Sequence, residues 1–224
     1  NRESVYSSYA AQYLNGAGEA TDIVIPGLDR SQDYVIQGMA YLPQKDWMLV
    51  TAYHNDGAYS SKVFCMDAAT GEFVAMLSFL NVDGTTNKDH GGGIAISENN
   101  LYYSCGDQDR KVAYAPLSAL DGIQKGEHRV IQLAGEAVFT EVGSVTSSNK
   151  TAYVAYVCYD QGYLWMGNFF DRGAYLAGIS IAANDYNVPA TSNYNSMVYG
   201  YKLKGSNSAE EWTNLVTGSA DCKG

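Results

Sequence analysis

The chain is poor in proline, with four in 224 residues, and holds only three histidines and four cysteines. No apolar run approaches the ~18 residues a membrane-spanning helix requires. Basic residues are scarce: 14 Lys and Arg stand against 24 Asp and Glu, a net charge of −10. Nucleic-acid binding, which depends on clustered Lys and Arg, is disfavoured. The nearest approach to a basic run, Asp109-Arg110-Lys111, carries its own carboxylate. Cys65, Cys105, Cys158 and Cys222 are widely spaced, without a CxxC or a Cys/His cluster, so no zinc site is expected. The first three sit in apolar, strand-like contexts that suit inert buried thiols. Cys222, in the polar tail 219–224, is the candidate for a disulfide. There is no GxxxxGK[ST] phosphate loop, no Gly-x-Ser-x-Gly elbow and no EF-hand spacing. The sequence starts at Asn1 rather than Met, which fits removal of a leader and a secreted, cell-surface or periplasmic protein.

What the chain does have is apolar and turn-forming. Hydrophobic residues make up 46% and charged residues 17%, far from the profile of disorder. Nineteen tyrosines and 23 glycines favour strands and turns over helices. Three segments repeat: Gly38–Leu42 turning into Trp47–Tyr53, Gly93–Ser97 into Leu101–Asp107, and Ala155–Tyr159 into Tyr163–Asn168. Each reads as a β-hairpin, and they recur at about 54 and then 62 residues. Further strands follow each one. After the first come Lys62–Asp67 and Glu72–Ser78, after the second Lys111–Pro116 and His128–Leu133, and after the third Met197–Leu203 and Glu211–Val216.

A four-stranded unit repeated in this way indicates a β-propeller. The turn Asp67-Ala-Ala-Thr-Gly71 between strands three and four resembles that of quinoprotein-like and NHL-like propellers. The Gly-Gly-Ile-Ala pattern at 92–95 is similar to their inner strand. The resemblance implies an all-β fold of four-stranded antiparallel blades and leaves activity open, since such propellers host lactonases, dehydrogenases and binding modules. A β-sandwich or an irregular all-β domain is the other architecture the pattern allows. Blades are expected near 37–80, 92–135 and 152–217, with an N-terminal segment 1–20 and a closing strand near 21–28. Three blades are too few to close a ring, which takes four to eight. The chain therefore reads as part of a six- or seven-bladed ring completed by a second polypeptide or another copy, unless a blade is hidden in 134–150 or 170–196.

In a blade, the loop leading into strand one and the loop joining strands two and three emerge on one face, where ligands of the resembled propellers usually bind. The polar residues expected there are His54, Asp56, Asp89, His90, Asp107, Asp109, Asn168 and Asp171. His90, beside Gly91-Gly-Gly93, suits a general base or a ligand donor, and equally a histidine that locks two blades together. Asn55-Asp56-Gly57 is turn chemistry first. Asp107 and Asp109 could offer oxygens to Ca²⁺, or form a solvated acidic loop. Trp47, Trp165 and Trp212 could stack on sugars but fit packing between blades more simply. Asn149-Lys-Thr151 is a formal glycosylation acceptor, meaningful only in a eukaryotic secretory host. These positions suit an extracellular binding or scaffold module for a small molecule or glycan, or a lactonase-like hydrolase working with rim histidines and carboxylates, with or without Ca²⁺. The cofactor is unknown.

Overall fold

A computed structural model describes residues 34–105, 111–139, 154–167 and 198–217. The closing strand expected near 21–28, the insertion 170–196 and Cys222 lie outside these. The described residues form three sheets. The first contains β1 (Tyr34–Leu42), β2 (Trp47–His54), β3 (Lys62–Asp67), β4 (Phe73–Leu80) and β8 (His128–Gln132), in that order. The second contains β5 (Ile94–Ile96), β6 (Asn100–Ser104), β7 (Lys111–Pro116) and β9 (Gly135–Val138). The third contains β10 (Tyr156–Asp160), β11 (Tyr163–Gly167) and β12 (Val198–Lys202). A single α-helix among the described residues, α1 (Ser208–Thr217), follows. The second and third sheets and strands β1–β4 of the first are antiparallel, β8 adds to the first as a parallel fifth strand, and the first strands β1, β5 and β10 lie side by side. This is an all-β fold of propeller type, with about three blades among the described residues.

The strands form where side chains alternate between two packed faces. Leu49, Val63, Leu77 and Phe79 of the first sheet meet Ile94, Leu101, Tyr103 and Ala115 of the second in one core. Ala95, Tyr102 and Val112 meet Val157, Leu164, Tyr199 and Tyr201 in the next. Each buried Leu or Phe contributes roughly 1.5–3 kcal/mol. The turn Asp67–Gly71 is closed by its own side chains. Asp67 Oδ1 accepts from the backbone N–H of Thr70 at 2.7 Å and from the Thr70 hydroxyl at 2.8 Å. Those bonds hold the Asp67 carboxyl below its usual range.

Two of the expected fourth strands are different. Residues 128–132 do not pair with β7. They run parallel to β4 as the fifth strand of the first sheet, in the register Met76 to His128 and Leu80 to Gln132. A short 3-10 turn, Leu117–Leu120, begins the crossover that a parallel partner needs. Ile131 and Leu133 enter the core shared by the first two sheets, and the place beside β7 goes to β9. Residues 211–216 are helical rather than extended. Asn207 Oδ1 accepts the backbone N–H of Glu210 at 3.0 Å, while Glu210 Oε2 accepts that of Ser206 at 2.8 Å, a reciprocal cap. Glu211 and Leu215, one turn apart, are the buried positions.

The inner strands approach backbone to backbone. A Cβ on Gly38 would stand 2.8 Å from Gly93 Cα. One on Gly93 would stand 2.9 Å from Tyr156 Cα and would strike Val157 N, and one on Gly92 would strike the carbonyl of Ala155. The glycines beside His90 are therefore a packing requirement: β1, β5 and β10 meet only because no side chain separates them.

Candidate functional site

The loop after β2 (residues 55–61) and the segment leading into β5 (residues 87–93) lie together at one end of the first two sheets. Ser61 donates through its backbone N–H to Asn87 O at 3.1 Å, and its hydroxyl donates to Asp89 O. Asn87 Nδ2 reaches Asp89 Oδ2 at 2.7 Å. From beneath, the Tyr103 hydroxyl donates to Asn87 Oδ1 and to Asp89 O, each at 3.3 Å. Buried Thr51 receives the Gly38 N–H at 2.8 Å and donates to Gly91 O at 2.7 Å. Burial, with the Asp89 charge adding to it, pushes the Tyr103 phenol and the Cys105 thiol up. Both stay neutral and inert beneath the loop.

His54 and His90 stand on this end without meeting. Neighbouring residues of a strand point to opposite faces. His90 packs on Tyr53, with ring centroids 4.1 Å apart, whereas His54 lies on the other face between Tyr34 (5.2 Å) and Tyr59 (4.8 Å). Residues 54–57 form the turn that Asn55-Asp56-Gly57 suggests, with Gly57 N–H donating to His54 O at 2.9 Å. Asp56 Oδ1 accepts the Ala58 N–H at 2.7 Å and lies 2.6 Å from His54 Nδ1. The latter contact is close but is not aligned as a hydrogen bond. The Ala58 amide, with His54 assisting, holds the Asp56 carboxyl below its usual range. Asp107, Asp109, Asn168 and Asp171 lie outside the described residues.

A cluster not anticipated from the sequence occupies the same end, on the face of the first sheet turned away from the second. Lys62 Nζ donates to Ser60 Oγ and to Ser78 Oγ, each at 2.7 Å. Ser78 Oγ is 2.7 Å from His128 Nε2. Tyr34 donates to the Ser60 carbonyl at 3.1 Å. Burial lowers the pKa of both Lys62 and His128, and the Lys62 charge lowers His128 further. The facing pair Lys62 and Ser78 follows from the register of β3 and β4. His128 joins them only because β8 pairs with β4, so placing 128–133 in the second blade hid the group.

Cys65 and Cys105 are buried, as expected, but Cys158 is exposed. It shares a strand face with Tyr156 and Asp160, which point outward, while Val157 takes the core.

No known family profile matches the chain, and no curated protein does. Among solved structures it is similar to the crystal structure of the beta-propeller domain of Cps50 (Swd1) from Myceliophteria thermophila. The identity is 14% and the TM-score 0.32, over 62% of this chain and 35% of that one. The chain thus spans about a third of that structure's length. So slight a likeness adds no weight to the fold, which rests on the strand order and the contact of β1, β5 and β10.

Proposed function

We propose that this protein is a binding and scaffold module built on propeller blades, acting outside the cell, with its ligand on the rim carrying His54, Asp56, Asp89 and His90. The observation that carries the reading is the double clamp of Ser61 on Asn87 and Asp89. It joins the loops of two successive sheets into one preorganised platform, so little ordering cost remains when a ligand arrives. The Tyr53 ring, packed against His90, edges that platform, a surface suited to an uncharged small molecule or a glycan. A hydrolase needs a base and a partner acting on one substrate. The two imidazoles here sit on opposite faces of β2, which favours the module.

The test is a chemical-shift perturbation screen of the ¹⁵N-labelled protein against small oligosaccharides and metabolites. Hits should move residues 54–59 and 87–91, and His90→Ala should abolish them. Hits that cluster elsewhere, or that survive the substitution, would overturn the assignment. A second polypeptide or further copy completing the ring is part of the same proposal. Native mass measurement should find a particle larger than 24.3 kDa, and a stable species of that mass alone would sink it.

A further inference from the structure

The Lys62 cluster is a set of donors with little left to accept from them. Lys62 spends two of its three N–H groups on Ser60 and Ser78, leaving one. Ser60 Oγ receives from Lys62, and its own proton has only Ser78 Oγ at 3.5 Å to aim at. When Ser78 donates to His128 Nε2, the other ring nitrogen of His128 carries a proton, and that nitrogen has no partner among the described residues. An ammonium N–H and the Ser60 hydroxyl thus stand beside one another, with the His128 ring on the same Ser78 hydroxyl. Ser78 links them from beneath, itself 5% exposed.

The surrounding charges do not neutralise the group. From β1 Tyr34 donates to the Ser60 carbonyl, and Tyr34 packs on His54, which packs on Tyr59. Asp56 is engaged by the Ala58 amide and by His54. On β8, alternation turns Arg129 to the opposite face. Glu127, just before the strand, is taken by Arg129 and by the Gln124 N–H. No carboxylate among the described residues pairs with Lys62 or His128. In a chain of net charge −10, a lysine and a histidine left together without an acid form a local positive site.

We infer that Ser60 and Lys62, held in place by Ser78 and next to His128, bind a small oxyanion: a phosphate group, free or carried as a monoester on a larger ligand. The ammonium and the neighbouring Ser60 hydroxyl match two oxygens of a phosphate, and the ammonium supplies the charge complement. The site lies on the outer face of the first sheet, apart from the loop of residues 87–93, so its failure would leave the rim assignment standing.

The experiment follows the His128 ring proton by NMR as pH is varied, with inorganic phosphate or phenyl phosphate against chloride at equal ionic strength. An anion bound beside His128 favours the imidazolium. By linkage, about 20 mM phosphate should therefore raise the His128 midpoint by ~0.5 pH unit or more. Phenyl phosphate acting at lower concentration would identify a carried monoester; equal potency would identify free phosphate. Lys62→Arg should keep the shift, and Lys62→Met should lose it. If Lys62→Met does not fold by circular dichroism, Ser60→Ala serves instead and should weaken phosphate binding at least about threefold, one lost hydrogen bond. An unchanged His128 midpoint in phosphate, an equal effect of chloride, or full binding after Ser60→Ala would each overturn the inference.

Discussion

The carboxylate of Glu211, on α1, accepts a 2.8 Å hydrogen bond from the hydroxyl of Tyr102, in the centre of the second sheet. The same carboxylate accepts from Ser97 Oγ, from Asn99 Nδ2 at 3.1 Å and from Asn100 Nδ2 at 3.2 Å. Glu211 is 4% exposed, a burial tolerable only because donors surround it. Trp212, beside it, stacks on Tyr114 with centroids 4.3 Å apart. Together these contacts fix the helix on the second sheet.

Glu211→Gln tests that fixation. The substitution keeps the shape but turns one acceptor into an NH₂ that confronts donors. Stability should fall by about 2–3 kcal/mol, the cost of unsatisfied buried polar groups. Tyr102→Phe should cost about 1–2 kcal/mol. The two losses should be non-additive in a urea-unfolding double-mutant cycle, because they share one bond. Strict additivity would show that the pair does not interact.

Gly93→Ala should be among the most damaging single substitutions in the protein. The added methyl meets backbone of β10 rather than a side chain able to turn aside. A loss of at least about 3 kcal/mol is expected, at or beyond the upper end of overpacking costs. Gly122→Ala is the control: its Cβ meets nothing within 4 Å, and its cost is confined to backbone strain at φ 67°, about 1 kcal/mol. Thermal unfolding of the two variants separates crowding from strain.

Stability should decline in alkali. Burial pushes the Cys65 thiol up to about 12 and raises Cys105, Tyr102 and Tyr103 as well. Each group stays protonated in the fold after the unfolded chain has lost its proton, near pH ~8.5 for cysteine and ~10 for tyrosine. The unfolded state then binds fewer protons, so their contribution is full below those values and drains away as pH rises. The slope is about 1.4 kcal/mol per pH unit for each group involved. Urea midpoints at pH 8, 9 and 10 should show it. Cys65→Ala should lower stability throughout yet flatten the fall between pH 8.5 and 10; an unchanged slope would contradict the assignment.

The thiols should also differ in reactivity. Exposed Cys158 should be labelled by an alkylating agent in the native protein. The reaction should be slower than for a free cysteine, because partial burial and the nearby Asp160 charge raise its pKa. Cys65 and Cys105 should be labelled only on unfolding. Peptide mapping of native and denatured samples distinguishes the three.

Much of the fold is legible in the sequence because hairpins announce themselves. Glu98-Asn99-Asn100 and Asp160-Gln161-Gly162 mark turns, and the flanking alternation marks strands; the observed pairings of β5 with β6 and β10 with β11 follow. A parallel partner has no turn to betray it. The seat of His128–Gln132 therefore depended on tertiary pairing, and with it the Lys62, Ser78 and His128 group. For α1 a local signal existed. Asn207 and Glu210, three apart, form a cap that outweighs the strand-like look of Trp212–Val216. Cys158 turns outward because a two-residue alternation leaves only one face of β10 for the core.

The parallel pairing of β8 with β4 has a consequence for how the chain is made. Nearly fifty residues separate the two strands, and the whole hairpin of β5, β6 and β7 is synthesised between them. Until residue 132 emerges from the ribosome, the outer edge of the first sheet has unpaired amides and carbonyls open to any passing strand. When the strap arrives it covers that edge and at the same time places Ile131 and Leu133 between the first two sheets. The first blade is thus completed by the chain that builds the second.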